Sequence, residues 1–183
     1  MKFTESEIPG LWLIDPVRHK DARGYFCETF RRDEFEAATG TKPDFVQENE
    51  SMSVRGVLRG LHYQGGAHSQ AKLVGVSEGR IIDVAVDLRR SSPTFLRHIA
   101  VELDSDSGRR VFIPRGFAHG FVVLSDVARF HYKVDNYYCP ASEHTIRFDD
   151  PALGIKWPEI EGGYIFSEKD LRGKALIDSQ LFD

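Results

Sequence analysis

The sequence predicts an all-β protein, built either as a sandwich or as a jelly-roll barrel. Short apolar or alternating segments follow one another along most of the 183 residues, and turns rich in glycine, proline and aspartate separate them. Only residues 32–39 have the pattern of a helix, which Gly40 ends. A parallel α/β sheet would need a helix between successive strands, so the pattern argues against that class.

Length and composition describe one domain that spans residues 1–183. Hydrophobic residues make up 41% of the chain, which is enough for a full core. The formal net charge of -4 argues against a general binder of nucleic acids or membrane surfaces. Any anion-binding site must therefore be formed locally.

Cysteine content and hydropathy lead us to expect a cytoplasmic protein. The two cysteines, Cys27 and Cys139, cannot form a disulfide framework and are too few for a structural zinc site. The N-terminal residues lack the apolar core of a signal peptide, and no apolar run approaches the length of a membrane span.

Alternation of apolar and polar residues predicts the strands. The first strand, residues 11–14, ends at the turn signal Asp15-Pro16, and a loop over residues 19–24 precedes a strand over residues 25–30. Beyond the helix, strands are predicted at residues 45–49, 54–64, 71–76, 80–88, 95–103, 110–113, 117–124 and 128–134. Proline and glycine interrupt the tail from residue 149 onward, which predicts loops and short turns that wrap the barrel.

The segment over residues 54–64 carries both a fixed cation, Arg59, and a titratable base, His62. Side chains three residues apart point to opposite faces of a regular strand. Gly60 lies between them, and a glycine inside a strand often marks a bulge. We therefore predict a bulge at Gly60 that turns Arg59 and His62 into one cavity. The alternative interpretation of His62 is a hydrogen-bonded structural histidine.

Two further strands place polar side chains on a defined face. In residues 128–134, Phe130 and Tyr132 share the face that we assign to the interior. In residues 80–88 either face can be interior. If the face of Asp83 lines a cavity, this carboxylate is buried and needs a partner; if it faces solvent, Asp83 is an ordinary surface residue.

Four side chains suggest the chemistry of carbon acids: His62 as a base, Tyr132 as an acid, Lys72 as a fixed cation, and His119 as a second histidine. Histidine titrates near about pH 6.5 and tyrosine near about pH 10, so one accepts a proton at neutral pH while the other holds one. Removing a proton beside a ketone creates an enolate that an ammonium group stabilises. A phenol that returns the proton on the opposite face would invert the carbon. A core aromatic and a surface-reaching lysine are the alternative interpretations of Tyr132 and Lys72.

A metal site is the competing hypothesis for a small jelly roll. Such barrels often bind a metal through a His-x-His pair, a carboxylate and a later histidine. Here Gln64 stands at the second position of the pair, which leaves only His62 and His119. These ligands are too few, so we expect no metal.

Seven motifs occur in order along nearly the whole chain. They are DARGYF at 21–26, FVQENES at 45–51, GVLRGLHYQ at 56–64, QAKLV at 70–74, DVAVDLR at 83–89, IPRGFAHGF at 113–121 and SEKD at 167–170. Together they closely resemble the dTDP-4-dehydrorhamnose 3,5-epimerase family. The resemblance implies a cupin-type jelly-roll barrel with a few short peripheral helices, which works as a homodimer. It also implies that the chain converts dTDP-4-dehydro-6-deoxy-D-glucose to dTDP-4-dehydro-L-rhamnose without a cofactor, in the supply of L-rhamnose for surface polysaccharide such as O antigen.

The resemblance also implies roles for individual residues. His62 would be the proton acceptor, Tyr132 the proton donor and Lys72 the cation that stabilises the enolate. Asp170 would orient His62 and raise its basicity, and Asp83 would lie behind the residues that contact the substrate. Substrate contacts are implied for Arg23, Phe26, Glu28, Gln47, Asn49, Arg59, His119, Tyr138, Glu143 and Lys169.

Some of these implied contacts have a specific chemistry. Arginines would bind the diphosphate through charge-assisted hydrogen bonds, and Tyr138 would stack on thymine. The resemblance further implies that the N-terminal strand is exchanged between subunits, so that Arg23 and Glu28 serve the site of the partner.

Several functions stay open at this level. Related sugar-nucleotide 3-epimerases, 5-epimerases and 3,4-ketoisomerases use the same fold, although Tyr132 favours the double reaction. A non-catalytic sugar-nucleotide-binding barrel and a metal-dependent cupin oxygenase are alternatives of other classes. The preferred nucleotide base and the sugar itself are also open.

Overall fold

Two facing antiparallel sheets form the body of the protein. The computed structural model describes residues 1–183, and strands dominate it, which confirms the predicted all-β class. The strands are β1 (Lys2–Glu5), β2 (Trp12–Asp15), β3 (Arg18–Asp21), β4 (Gly24–Cys27), β5 (Gln47–Val54), β6 (Leu58–Gln64), β7 (Lys72–Glu78), β8 (Arg80–Asp87), β9 (His98–Asp104), β10 (Arg110–Ile113), β11 (Phe117–Val123), β12 (Val127–Val134) and β13 (Glu143–Thr145). The first sheet has six strands in the order β1-β2-β10-β7-β12-β5, and the second has five in the order β13-β6-β11-β8-β9, while β3 and β4 pair as a separate hairpin.

Helices are few and short. They are α1 (Arg32–Thr39) and α2 (Glu168–Leu171), with 3₁₀ turns at Gly66–His68, Pro140–Ser142 and Leu176–Asp178. None of the helices has the length and hydrophobicity that a membrane crossing requires. The prediction of α1 is confirmed, and Gly40 ends it with a left-handed φ of 69°.

Several predicted boundaries are wrong, for local reasons. A turn divides the predicted strand over residues 54–64, and Gly56 in that turn has a φ of 81°. Residue 54 is therefore the end of β5, and β6 begins only at residue 58. Much of the predicted loop over residues 19–24 is instead part of the β3–β4 hairpin. Its side chains in β3 are all polar, so the sequence shows no alternation of apolar and polar residues there. The predicted strand over residues 25–30 ends at Cys27, and Leu96 lies in a turn before β9.

Three elements, β1, β13 and α2, are not predicted at all. They are four, three and four residues long, and periodicity is not informative over so few residues.

The main core lies between the two sheets. Val74 of the six-stranded sheet belongs to the same buried cluster as Ala85 and Phe121 of the five-stranded sheet. Leu73, the neighbour of Val74, packs instead with Phe35 of α1 on the opposite face, because successive strand residues alternate between faces. Only every second side chain of each strand therefore points into the space between the sheets.

The predicted bulge at Gly60 is confirmed. His62 pairs with His119, whereas Arg59 pairs with Phe121, so three steps along β6 match two steps along β11. Gly60 has a φ of 131°, and a Cβ atom on it would lie 2.6 Å from the Cα atom of Gly120. The bulge brings Arg59 and His62 into one cleft.

We expect the substitution Gly60→Ala to lower the free energy of unfolding by about 3 kcal/mol or more, because the alanine meets both an unfavourable φ and the backbone of β11. Gly24→Ala is the matched control, since Gly24 has a φ of 127° but a Cβ atom on it would have no neighbouring atom within 4 Å. The control should lose about 1–2 kcal/mol. Chemical denaturation measures both, and equal losses would contradict a steric requirement at Gly60.

Candidate active site

The cleft between the two sheets collects most of the predicted site residues. His62 lies on β6, in one sheet, while Lys72 on β7 and Tyr132 on β12 lie in the other. The Lys72 ammonium is 6.0 Å from the centre of the Tyr132 ring. An imidazole therefore lines one wall, and a phenol and an ammonium line the other, which confirms the inward face assigned to Tyr132. The lining residues are Asn49, Glu50, Ser51, Arg59, His62, Tyr63, Gln64, Gln70, Lys72, His119, Phe121, Phe130, Tyr132, Tyr138, Glu143 and Lys169.

Asp170 holds His62 from behind. Its Oδ1 atom lies 2.7 Å from Nε2 of His62 and also accepts the backbone N–H of Gly60 at 3.1 Å. Its Oδ2 atom accepts the hydroxyl of Ser167 at 2.5 Å, in the capping box that begins α2. Both carboxylate oxygens are thus engaged, so the carboxylate and the imidazole share a fixed orientation.

The contact with Asp170 decides which nitrogen of His62 can react. A carboxylate only accepts hydrogen bonds, so Nε2 carries the proton of the neutral ring. The lone pair is then on Nδ1, which is the nitrogen left to accept a proton from a substrate.

Burial and hydrogen bonding set the charges of this pair. Burial alone would raise the pKa of Asp170, but hydrogen bonds from His62, Ser167 and Gly60 outweigh it and hold that pKa well below its ordinary value. Burial is the largest influence on His62 and lowers its pKa below the ordinary value, although Asp170 acts in the opposite direction. Asp170 therefore acts on the basicity of His62 in the expected direction, but desolvation dominates the net shift. The ring is neutral at neutral pH and able to accept a proton.

The opposite wall holds a protonated acid and a cation. Burial raises the pKa of the Tyr132 phenol, and the charge of Glu143 raises it further. Burial lowers the pKa of Lys72 to about 8, against the influence of Asp83 and Glu143. At neutral pH the Tyr132 phenol keeps its proton, and Lys72 is protonated in most molecules.

Asp83 resolves the choice that the sequence left open for β8. The face of β8 that carries Asp83 points into the protein, and the Oδ2 atom of Asp83 lies 2.7 Å from Nε2 of His119. The His119 side chain is 7% exposed and that of Asp83 is 2% exposed. The His119 ring stacks on Phe130 with the ring centres 5.7 Å apart. A second histidine–carboxylate pair therefore lies beside the first.

Glu143 organises the entrance of the cleft. Its carboxylate accepts hydrogen bonds from Lys169 at 2.8 Å and from the hydroxyl of Tyr138 at 3.2 Å. Gln47 does not line the cleft, but it accepts the backbone N–H of Tyr138 at 3.2 Å and donates to Asn49 at 2.9 Å. Gln47 thus positions two lining residues from behind.

Three predicted contact residues do not belong to the cleft of their own chain. Arg23, Phe26 and Glu28 lie on or just beyond the β3–β4 hairpin and are exposed. Phe26 is 71% exposed, and Arg23 pairs only with its neighbour Asp21. Within one chain, these side chains face solvent instead of the cleft.

Some residues that line or support the cleft have no role predicted from the sequence. Ser51 lines the cleft, and Ser53 accepts the Nε–H of Arg59 at 3.1 Å. Both serines share a face of β5 with Asn49, so the period of two along this strand was the available signal.

Two further glutamines hold the loop that carries Tyr138. Gln64 accepts the backbone N–H of Cys139 at 3.0 Å, and Gln70 donates to the carbonyl of Asn136 at 2.8 Å. No sequence pattern marks these contacts, because each joins segments more than 60 residues apart.

The His, Cys, Asp and Glu side chains of the structure do not form a metal site. No group of three or more His, Cys, Asp and Glu side chains in the structure is arranged to hold a metal ion. The Nε2 atoms of His62 and His119 each face a carboxylate instead. Independence of a cofactor stays a prediction.

Known proteins share both the sequence and this architecture. The family model for dTDP-4-dehydrorhamnose 3,5-epimerase matches residues 5–178. A dTDP-4-dehydrorhamnose 3,5-epimerase from Pseudomonas aeruginosa is 47% identical over 182 residues, which are 100% of this chain and 99% of that protein. The chain belongs to the dTDP-4-dehydrorhamnose 3,5-epimerase family.

Solved structures agree with this family membership. The 3,5-epimerase of Legionella pneumophila, in complex with dTDP-4-keto-L-rhamnose, matches with a TM-score of 0.94 and 44% identity, over 98% of this chain and 94% of that one. A 3'-monoepimerase from Streptomyces bikiniensis, in complex with dTDP-quinovose, matches with a TM-score of 0.87 and 38% identity, over 94% and 86% of the two chains. The prediction of a cupin-type jelly roll is confirmed. The epimerase fold accommodates single as well as double inversion, so side chains must decide between them.

Proposed function

We propose that this chain is a dTDP-4-dehydrorhamnose 3,5-epimerase, which converts dTDP-4-dehydro-6-deoxy-D-glucose to dTDP-4-dehydro-L-rhamnose. The observation that carries the proposal is the pair of opposed walls, with His62 backed by Asp170 on one and Tyr132 with Lys72 on the other. A protein that only binds a sugar nucleotide needs no base and acid arranged in this way.

His62 begins the proposed reaction by taking a proton from a carbon beside the C4 ketone. Its neutral ring accepts the proton at Nδ1, while Nε2–H continues to donate to Asp170. The negative charge of Asp170 stabilises the imidazolium that forms.

Lys72 and Tyr132 complete the inversion. The Lys72 ammonium stabilises the negative charge that develops on the ketone oxygen. The Tyr132 phenol then protonates the carbon from the opposite wall. Because loss and return of the proton occur on opposite faces of the sugar ring, the configuration changes.

Uncompensated positive charge supports binding of the diphosphate. Arg59 lines the cleft, and its guanidinium donates a hydrogen bond to Ser53 but forms no ion pair within the chain. Guanidinium and ammonium groups bind phosphate oxygens through charge-assisted hydrogen bonds. Tyr138, which is 48% exposed at the entrance, offers an aromatic face for thymine.

Proton NMR of the reaction in deuterium oxide tests the proposal. A 3,5-epimerase incorporates deuterium at both C3 and C5 and yields the L-rhamno product. Deuterium at one carbon with a single inversion would identify a monoepimerase, the second candidate, which the match to the S. bikiniensis enzyme favours. No exchange would indicate a binding protein, and activity that is lost with a chelator and restored by a metal ion would indicate a metal-dependent cupin.

We also propose a homodimer in which the β3–β4 hairpin of one protomer completes the cleft of its partner. Exposure of Phe26 and Arg23 on this hairpin supports the arrangement, since neither reaches the cleft of its own chain. Arg23 and Glu28 would then contact the nucleotide bound to the partner.

Subunit complementation tests the exchange. We expect Arg23→Ala and His62→Asn variants to be weakly active alone, but to regain activity after they are unfolded and refolded together. In a mixed dimer, the intact His62 of one protomer meets the intact hairpin of the other, so about a quarter of wild-type activity should return. If the hairpin served its own chain, no mixed dimer would contain an intact site, and activity would stay at the level of the separate variants.

We also propose a cellular setting. The free thiols of Cys27 and Cys139 support a reducing compartment such as the cytoplasm. The product would supply L-rhamnose for a surface polysaccharide such as O antigen. We infer that residues 1–183 act as one domain, because the cleft draws on residues from Asn49 to Lys169.

A further inference from the structure

Gln64 is a buried amide on the wall of the cleft that carries His62. It is 5% exposed and lines the cleft. Leu61 and Tyr63 belong to the apolar cluster on the other face of β6. The alternation of a strand therefore points His62 and Gln64 to the same side, about 7 Å apart along β6. Gln64 is thus the next residue of this strand, after the proposed base, that faces the cleft.

The orientation of the Gln64 amide is fixed from behind. Its Oε1 atom accepts the backbone N–H of Cys139 at 3.0 Å. A backbone N–H only donates, so turning the amide over would place two donors against each other. Nε2 is therefore the free end of the amide, and it makes no hydrogen bond within the chain.

Two other glutamines of this region use their Nε2 atoms inside the protein. Gln47 donates to the side chain of Asn49 at 2.9 Å, and Gln70 donates to the carbonyl of Asn136 at 2.8 Å. A buried N–H group without a partner is unfavourable, and most such groups in folded proteins are paired. The free N–H bonds of Gln64 therefore indicate a donor site for a ligand.

Neighbouring contacts place Gln64 between the proposed base and the nucleotide end of the cleft. Cys139, which Gln64 holds, directly follows Tyr138. Glu143 accepts the Tyr138 hydroxyl and pairs in register with Gln64. With thymine on Tyr138 and the reacting carbons at His62, as proposed, Gln64 faces the part of the ligand that joins them.

The chemistry of the sugar decides which group Gln64 meets. The ketone is at C4, the reacting carbons are C3 and C5, and the diphosphate is attached at C1. Between C1 and C3 the sugar carries one neutral hydroxyl, at C2. The neutral amide N–H suits this oxygen, whereas the guanidinium of Arg59 suits the charged diphosphate.

We propose that Gln64 is a specificity-determining residue, which donates a hydrogen bond from Nε2 to the C2 hydroxyl of the sugar. The inference rests on the proposed function. It assigns the cleft to sugar nucleotides that keep the 2-hydroxyl. A 2-deoxy sugar would leave the buried N–H of Gln64 without a partner, so the site should discriminate against it.

Binding of two unreactive ligands tests this contact without turnover. The ligands dTDP-glucose and dTDP-2-deoxyglucose lack the C4 ketone and differ only at C2, so the ratio of their Kd values isolates the C2 hydroxyl. Titration calorimetry should show that the wild type binds dTDP-glucose about five- to tenfold more tightly. Methionine is close in size to glutamine but has no N–H, so the ratio in Gln64→Met should fall to about one.

Gln70→Met is the matched control. Gln70 also lines the cleft and holds the loop of Tyr138, but its Nε2 atom already donates to a backbone carbonyl. Loosening the loop in this way should weaken both sugar nucleotides alike and keep the wild-type ratio. The ligand dTDP has no sugar, so Gln64→Met and Gln70→Met should weaken its binding to a similar extent.

NMR of the wild type gives a second measurement that needs no variant. The side-chain N–H resonances of Gln64 should shift when dTDP-glucose is added. The shift should be smaller with dTDP-2-deoxyglucose, because the acceptor oxygen is missing. This measurement decides the question if Gln64→Met does not fold.

The proposal is overturned if the wild type binds the two sugar nucleotides equally, or if a folded Gln64→Met variant keeps the preference. It is also overturned if the Gln64 N–H resonances respond identically to both ligands. Failure of the proposed function has a different signature: the ketosugar would show no deuterium exchange with the wild type, while the preference for dTDP-glucose and its loss in Gln64→Met persisted.

Discussion

The His62→Asn variant is expected to lose about 10²- to 10⁴-fold in kcat, and to lose deuterium exchange at C3 and C5 together. Asparagine is close in size to histidine and can still donate a hydrogen bond to Asp170, but it has no lone pair basic enough to accept a carbon-bound proton. Proton NMR spectra recorded over the course of the reaction in deuterium oxide measure both turnover and deuterium exchange.

The pH profile adds a second test of the base. Burial lowers the pKa of His62, so the ring loses its proton at a lower pH than an ordinary histidine does, and the acid limb of kcat/KM should be displaced to lower pH accordingly. His98→Asn is the control, since burial lowers the pKa of His98 as well, but His98 lies on β9 outside the cleft. Retention of substantial exchange by a folded His62→Asn variant would remove His62 from the role of base.

The Tyr132→Phe variant is expected to lose the inversion at C5, with at least a hundredfold decrease in formation of the L-rhamno product. The substitution removes only a hydroxyl, so the cleft keeps its shape and Lys72 keeps its aromatic neighbour. Because His62 is intact, proton abstraction and part of the deuterium exchange should survive.

This separation of exchange from inversion is the critical result. Tyr137→Phe is the matched control, since Tyr137 is 65% exposed and does not line the cleft. An unchanged product from Tyr132→Phe would refute its assignment as the proton donor, and loss of exchange together with inversion would place Tyr132 in the abstraction step instead.

Much of the site was predictable from the sequence because it depends on local periodicity. The period of two placed Tyr132 and Phe130 on the interior face of β12, and the glycine inside β6 predicted the bulge that joins Arg59 to His62. The all-β class and helix α1 also follow from local patterns. The ordered motifs were sufficient to predict the epimerase family.

Contacts between distant segments needed the tertiary structure. Asp170 and His62 are 108 residues apart, and periodicity within either segment says nothing about their meeting. The same limit applies to Asp83. The pattern of residues 80–88 could not decide which face of the strand is interior, and only the contact between Asp83 and His119 decides it.

The protonation of the site was likewise decided by the fold. The motif resemblance implied that Asp170 makes His62 more basic, and the carboxylate does act in that direction, but desolvation outweighs it and lowers the net pKa of His62. The sequence by itself determined which side chains alternate toward the barrel interior and which family they resemble, since both are properties of neighbouring residues. Only the tertiary structure decided that Asp83 meets His119, and how far each histidine–carboxylate pair is shielded from water, because these depend on the packing of segments that are remote along the chain.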